Sequence, residues 1–217
     1  MARGTASHTD GDVRQRLLEA AGEEFARHGF ENASVRAMCD RAEANVSAVK
    51  YHFGSKEELY SSVWRAAVER TTNYRSIPTY DPQTQTPEEA LGEFIAWFVD
   101  LMLYRDVRFT PSLGHLLSHE MISPTPGGID LFMEKCAGPM HGSLRQMVRA
   151  MIGQEVPEAT MRRLCNHVVA LCVHPHQSRE IQNRVGVPVP KSKPALKKLA
   201  DDITTFATAG IKAFAAP

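Results

Sequence analysis

The sequence has no surplus of either charge: Lys and Arg number 25, and Asp and Glu number 25. A balanced chain has no long-range field to draw in a polyanion, so any contact with nucleic acid must rest on a local cluster of cations. No stretch approaches the roughly 18 uninterrupted apolar residues that a membrane helix needs, and no membrane partner is expected. The opening "MARGTASHTDGD" has one Arg and no apolar core, which is not the pattern of a signal peptide. Residues 1–9 read as a flexible tail and the chain as cytoplasmic. Cys39, Cys136, Cys165 and Cys172 are far apart and form no C-x-x-C pair, which fits reduced thiols rather than a disulfide frame. Alternating apolar and polar residues, the mark of strands, are missing over any useful length, and so is an internal repeat. G-x-S-x-G and H-E-x-x-H are also missing, so neither a serine hydrolase nor a zinc protease has motif support.

Helix signals are plentiful. With 43% hydrophobic residues the chain can bury a sizeable core. A first helix is expected from about Thr9, with Val13, Leu17, Ala21 and Phe25 at i,i+4 spacing and Gly29 as its stop. Ser34 caps a short second helix with Val35, Met38, Cys39 and Ala42 on one side. Glu43-Ala44 is a turn. Asn45 caps a third helix, Val46 to Phe53, which Gly54 ends. Ser55 with Glu58 is a capping box for a fourth helix from Lys56 to about Tyr74. Thr86-Pro87-Glu88-Glu89 and Thr110-Pro111 open two more helices. "SPTPGG", residues 123–128, is a break. A helical stretch from Ile129 to Ile152 should be disturbed at Gly138-Pro139. Pro157 opens a helix to about Cys172, an irregular or partly helical stretch follows, and Pro194 to Phe214 is the last helix.

Two short helices with a tight turn between them, braced by a longer first helix, form a helix-turn-helix arrangement. On the third helix Val49 and Phe53 are one turn apart and should face the core. Ser47 and Tyr51 share a second face and Ala48 and His52 a third, both expected to point outward. Lys50, Tyr51, His52 and Lys56 have the reach and chemistry for phosphate oxygens or base edges. An ordinary helix pair in an all-α protein would show the same spacing, with Tyr51 and His52 as plain surface or packing residues.

The stretch "LLEAAGEEFARHGFENASVRAMCDRAEANVSAVKYHFGSKEELY" resembles the DNA-binding domain of TetR-family transcriptional regulators. Gly29-Phe30, Ser34, Phe53, Lys56 and Leu59 stand where the family pattern places them, over about residues 12–63. Two positions depart from it: Glu43 occupies the turn where glycine is usual, and Lys50 stands where tyrosine is commonest. The resemblance implies backbone contacts from Ser34, Tyr51, His52 and Lys56, and base contacts from Arg36, Val46, Ser47, Ala48 and Lys50. It implies a homodimer on a palindromic double-stranded DNA operator, a small-molecule effector and no cofactor. The expected architecture is all-α: a three-helix DNA-binding domain over 10–54, then a helical effector-binding and dimerisation domain over 55–217, with 55–75 as the connecting helix.

"EMISPTP", with Pro139-Met140-His141 and the closing "ITTFATAGI", further resembles a subgroup of that family associated with drug sensitivity and efflux. Phe94, Phe98, Met102, His115, Leu117, Met121, Phe132, Cys136 and Met140 form a large, soft group of side chains. As a group they are candidates for an apolar effector pocket; singly, each reads as core packing. His115 and His119 are one helical turn apart, a spacing that can chelate a metal. That spacing is common, and no metal is expected. A different reading, a helical metal- or ligand-binding protein or a small enzyme with no DNA to bind, would leave the first three helices as mere scaffold.

Overall fold

The computed structural model describes residues 10–74, 76–103, 113–125, 130 and 132–215. Among these every regular element is helical. Thr9, Thr110-Pro111 and residues 126–129, where the sequence reading places two helix starts and part of a break, lie outside the described residues. No helix among the described residues is long and apolar enough to cross a membrane.

The chain divides into two compact units. The first takes Met1–Glu69 and a later segment, Val107–Leu131. It holds α1 (Asp10–Asn32), α2 (Val35–Arg41), α3 (Val46–Phe53), most of α4 (Lys56–Tyr74) and α6 (Leu113–Ile122). This division differs from the sequence expectation of a boundary at residue 54. Side-chain chemistry accounts for it: α6 carries two polar groups whose partners are on α1 and α4. His119 Nε2 lies 3.2 Å from the Ala26 carbonyl. Glu120, 1% exposed, accepts from the Tyr60 hydroxyl at 2.6 Å. The same carboxylate accepts from the Thr125 backbone N–H at 2.9 Å and the Thr125 hydroxyl at 2.5 Å. Burial and the neighbouring carboxylate push the Tyr60 phenol well above its ordinary range, so it serves as a donor. Around it Phe25 meets Tyr60 edge-on at 4.8 Å, with Phe30 at 5.2 Å.

The second unit takes Arg70–Asp106 and Phe132–Pro217. Helix α5 (Pro87–Leu103) is its centre, packed against α7 (Gly138–Ile152), α8 (Glu158–Gln177) and α10 (Lys193–Lys212). Thr86 and Glu89 close the capping box that opens α5: Thr86 N–H reaches Glu89 Oε2 at 2.8 Å, and Glu89 N–H reaches Thr86 Oγ1 at 3.2 Å. Leu91, Phe94, Ile95, Leu144, Met147 and Ile152 are buried, and each such side chain contributes on the order of 2 kcal/mol.

Three elements in this unit differ from the sequence expectation. The disturbance near Pro139 falls one turn earlier, as a π-helix over Met133–Ala137. Pro139 has no N–H for the carbonyl four residues back; instead Gly138 N–H bonds to Met133 O, five back. Helix α8 runs on past Cys172 through Pro175 to Gln177. The stretch after it contains a short helix, α9 (Arg179–Arg184). All four cysteines are unpaired and buried. Burial raises the Cys136 and Cys165 thiols to about 11 and Cys172 to about 12, so they stay protonated.

One surface cluster gives a pH-dependent prediction. Glu158 accepts from Arg145 and from Arg162, the latter at 2.9 Å. The two guanidinium groups lower its carboxyl from the ordinary 4.5 to about 2. A depressed carboxylate contributes stability above its unfolded pKa and loses it as pH falls through the folded one. Wild type should therefore melt slightly above Glu158→Gln at pH 5–7, and the two curves should converge between pH 4.5 and 2. A difference that persists at pH 2 would assign the effect to packing instead.

Candidate nucleic-acid interface

The helix-turn-helix is assembled from local caps and three long-range ties. Ser34 is the N-cap of α2, its hydroxyl accepting from Ala37 N–H at 3.3 Å. Its own N–H donates to Glu24 Oε1 at 3.2 Å. Glu24 is buried, and its other oxygen lies 4.0 Å from an Arg41 nitrogen. A carboxylate at this helix N-terminus is favoured by the helix dipole, which makes its burial tolerable. In the turn, Glu43 takes φ +50°, so a non-glycine residue does carry the left-handed position. The cost is of order 1 kcal/mol. Ala44 N–H to Cys39 O at 2.9 Å closes the turn, and Arg16 Nε of α1 donates to Ala42 O at the same distance.

Asn45 Oδ1 accepts from Ser47 N–H at 3.0 Å and from the Ser47 hydroxyl at 3.1 Å. This cap starts α3, and Gly54, at φ +85°, ends it. Val49 and Phe53 are buried as the i,i+4 spacing predicts. Val46 is 53% exposed and Tyr51 77%. Arg36, Ser47 and Lys50 are exposed and Ala48 half-buried. Two apolar residues thus hold the helix down while a mixed polar face is left open.

His52 departs from expectation. Its side chain is only 7% exposed and its Nε2 lies 3.6 Å from Asp10 Oδ1. It faces the first turn of α1 rather than solvent. Beside it, the Arg14 guanidinium lies over the Phe53 ring, 4.8 Å from its centroid. Lys56 does not extend freely either: Nζ donates to Glu31 O at 3.3 Å and lies 4.9 Å from the Phe30 centroid. Ser55 caps α4 through Glu58 N–H at 3.1 Å. Sequence reasoning passed over Asp10, Arg14 and Glu24, and took Glu120 only as a neighbour of His115 and His119 and as the first residue of "EMISPTP". A run of charged residues on an amphipathic helix reads as its solvated face, and only the approach of another element distinguishes these four.

The candidate effector residues do not all fall in one unit. Phe94, Phe98, Met102, Cys136 and Met140 are buried in the second unit, with Phe132 half-buried there. His115, Leu117 and Met121 belong to the first, where Leu117 is buried and Met121 is 55% exposed. Among the described residues no group of three His, Cys, Asp or Glu side chains is placed to hold a metal.

A short helix held by two anchors behind a cap and a tight turn, its open face rich in donors, defines a helix-turn-helix DNA-binding protein. Residues 17–63 match the model for bacterial regulatory proteins of the tetR family. Residues 87–211, more than half of the chain, match the C-terminal domain of the HTH-type transcriptional dual regulator CecR. The chain belongs to the TetR family of transcriptional regulators, with a C-terminal domain of the CecR type. It is 27% identical over 158 residues to the HTH-type transcriptional dual regulator CecR of Shigella flexneri, an alignment spanning 69% of each chain. It is 33% identical over 111 residues to the HTH-type transcriptional regulatory protein RaaS of Mycobacterium tuberculosis, covering 49% of this chain and 50% of that one. The fold is shared with a TetR-like transcriptional regulator from Rhodococcus sp. RHA1, with TM-score 0.62, 16% identity and coverage of 91% and 96%.

Proposed function

We propose that this regulator is a ligand-responsive repressor that binds a palindromic operator as a homodimer. The open face of α3 carries the reading: Val46, Ser47, Lys50 and Tyr51 stand clear of the protein while Val49 and Phe53 fix the helix beneath them. In a major groove Arg36, Val46, Ser47, Ala48 and Lys50 would meet base edges, and Ser34, Tyr51 and Lys56 the backbone. His52, turned to Asp10, we assign to holding α3 in place. The Ser47 hydroxyl already donates to Asn45, so toward DNA it offers an acceptor. That favours a base with a major-groove amino group, adenine or cytosine.

One eight-residue helix reads few base pairs, and a two-fold pair of sites about one DNA turn apart answers that. Phe206 on α10, 70% exposed, supports α8 and α10 as the face that meets a second copy. For the effector, the buried aromatic and sulfur side chains of the second unit favour a small apolar molecule, and the "EMISPTP" motif favours a drug- or efflux-related one. To empty the operator from 99% to 1% occupancy of the binding-competent form, such a molecule must prefer the other form by about 5.5 kcal/mol.

Selection of bound duplexes from a random pool tests the reading. The expected product is a two-fold symmetric site with half-sites about one turn apart. Absence of any enriched sequence would sink it. Selection repeated with Ser47→Ala should relax the preference at one position per half-site; the same sequence bound uniformly more weakly would remove Ser47 from base readout.

A further inference from the structure

Arg14 lies on the second turn of α1, a helix that carries none of the residues so far assigned to DNA. Three features of its placement bear on function. First, the opening turns of α1 are seated on the last turn of α3: Asp10 meets His52 at 3.6 Å and Arg14 covers the Phe53 ring at 4.8 Å. Second, Arg14 is exposed and has no carboxylate partner among the described residues. The neighbouring acids are engaged elsewhere, Asp10 with His52 and Asp12 with Arg16 at 2.7 Å. Among the other α1 arginines, Arg16 is paired with Asp12 and Arg27 with Glu23. Third, a cation held over an aromatic ring makes no hydrogen bond to it, so the contact with Phe53 leaves the Arg14 N–H groups available to an acceptor. The ring thus acts as a shelf that holds a cation, already partly ordered, beside the end of the recognition helix where Tyr51 also projects.

A cation fixed at one end of a helix that enters the major groove faces the phosphates bordering that groove. We propose that Arg14 is a DNA-backbone contact, positioned by Phe53, which extends the interface from α2 and α3 onto α1. The proposal rests on the major-groove reading of α3. It assigns no base preference to Arg14, since phosphates carry no sequence information.

The test uses the full chain and a labelled 30-base-pair duplex of random sequence, with binding followed by anisotropy from 50 to 200 mM salt. One phosphate contact contributes a slope of about 0.9 in log K against log salt. Arg14→Ala should therefore flatten the slope by about one per subunit and weaken binding about five- to tenfold per subunit at 0.1 M salt. Arg14→Lys should recover most of the slope, because the charge is retained. Arg27→Ala removes the same charge about 20 Å further along α1 and should leave the slope unchanged. If Arg14→Ala and Arg27→Ala behave alike, or if Arg14→Ala lowers the melting temperature while the slope stays at the wild-type value, Arg14 is only a brace for α3 and the proposal is overturned. Lys50→Ala separates this from the larger reading. If it too binds like wild type, or if wild type does not bind the duplex, the major-groove assignment of α3 fails and the Arg14 contact fails with it.

Discussion

Glu120→Ala should destabilise the DNA-binding unit by about 4 kcal/mol, the largest effect expected of any single polar substitution in it. The side chain is 1% exposed, and its two oxygens serve three donors: the Tyr60 hydroxyl, the Thr125 backbone N–H and the Thr125 hydroxyl. Removing it strands all three in the interior. Each stranded group costs about 1–3 kcal/mol, and water entering the space left behind recovers part of that. Set against a total stability of about 5–15 kcal/mol, the loss should lower the thermal midpoint by roughly 10 °C. Glu120→Gln is the sharper variant. Its shape is unchanged, but an amide has one acceptor oxygen and an NH2 that would point at a donor. It should cost about 2 kcal/mol, and Tyr60→Phe, which removes one donor cleanly, about 1 kcal/mol. A Glu120→Gln protein as stable as wild type would mean that the three donors have other acceptors.

The network also gives a physical meaning to the "EMISPTP" motif. Glu120 and Thr125 are its first and sixth residues, and they close on each other and on α4. The later segment is thereby built into the same unit as the helix-turn-helix, which a boundary drawn at Gly54 from the sequence alone could not anticipate.

What was legible in the sequence follows from the range of the interactions. The starts of α2, α3, α4 and α5 were readable because Ser34, Asn45, Ser55 and Thr86 cap through N–H groups two or three residues on. Such bonds are determined by neighbours in the chain. Burial of Val49 and Phe53 was readable from helical spacing. The direction of His52 was not: its periodicity places it on a flank of α3, and whether that flank is covered depends on where Asp10 begins α1. Glu24 and Glu120 were illegible for the same reason, because a buried carboxylate is affordable only when distant donors reach it. The π-helix lay between these cases. Pro139 announced a broken bond but not which turn would absorb it. As for Glu43, local preference argues against a left-handed glutamate, yet φ is +50°, because the Cys39–Ala44 bond and the Arg16 brace determine the turn around it.

Gly29→Ala should cost about 3 kcal/mol, through two separable effects. Gly29 sits at φ 70°, ψ 175°, a region almost closed to residues with a Cβ, where strain is about 1–3 kcal/mol. In addition, a Cβ built there would lie 2.9 Å from His119 Nδ1, on the ring whose other nitrogen meets the Ala26 carbonyl. The glycine therefore both kinks α1 three residues before its end and leaves the gap into which the His119 ring of α6 fits. A double-mutant cycle separates the two. His119→Ala alone should cost about 1 kcal/mol through the lost hydrogen bond. In its background Gly29→Ala should cost only the backbone strain, so the double variant should be more stable than the sum of the singles predicts, by about 1 kcal/mol. Simple additivity would mean that the ring swings aside at no cost and that α6 does not depend on the gap. The expected coupling would instead make the end of α1 the seat of α6, which ties the brace of the recognition helix to the segment that carries Glu120.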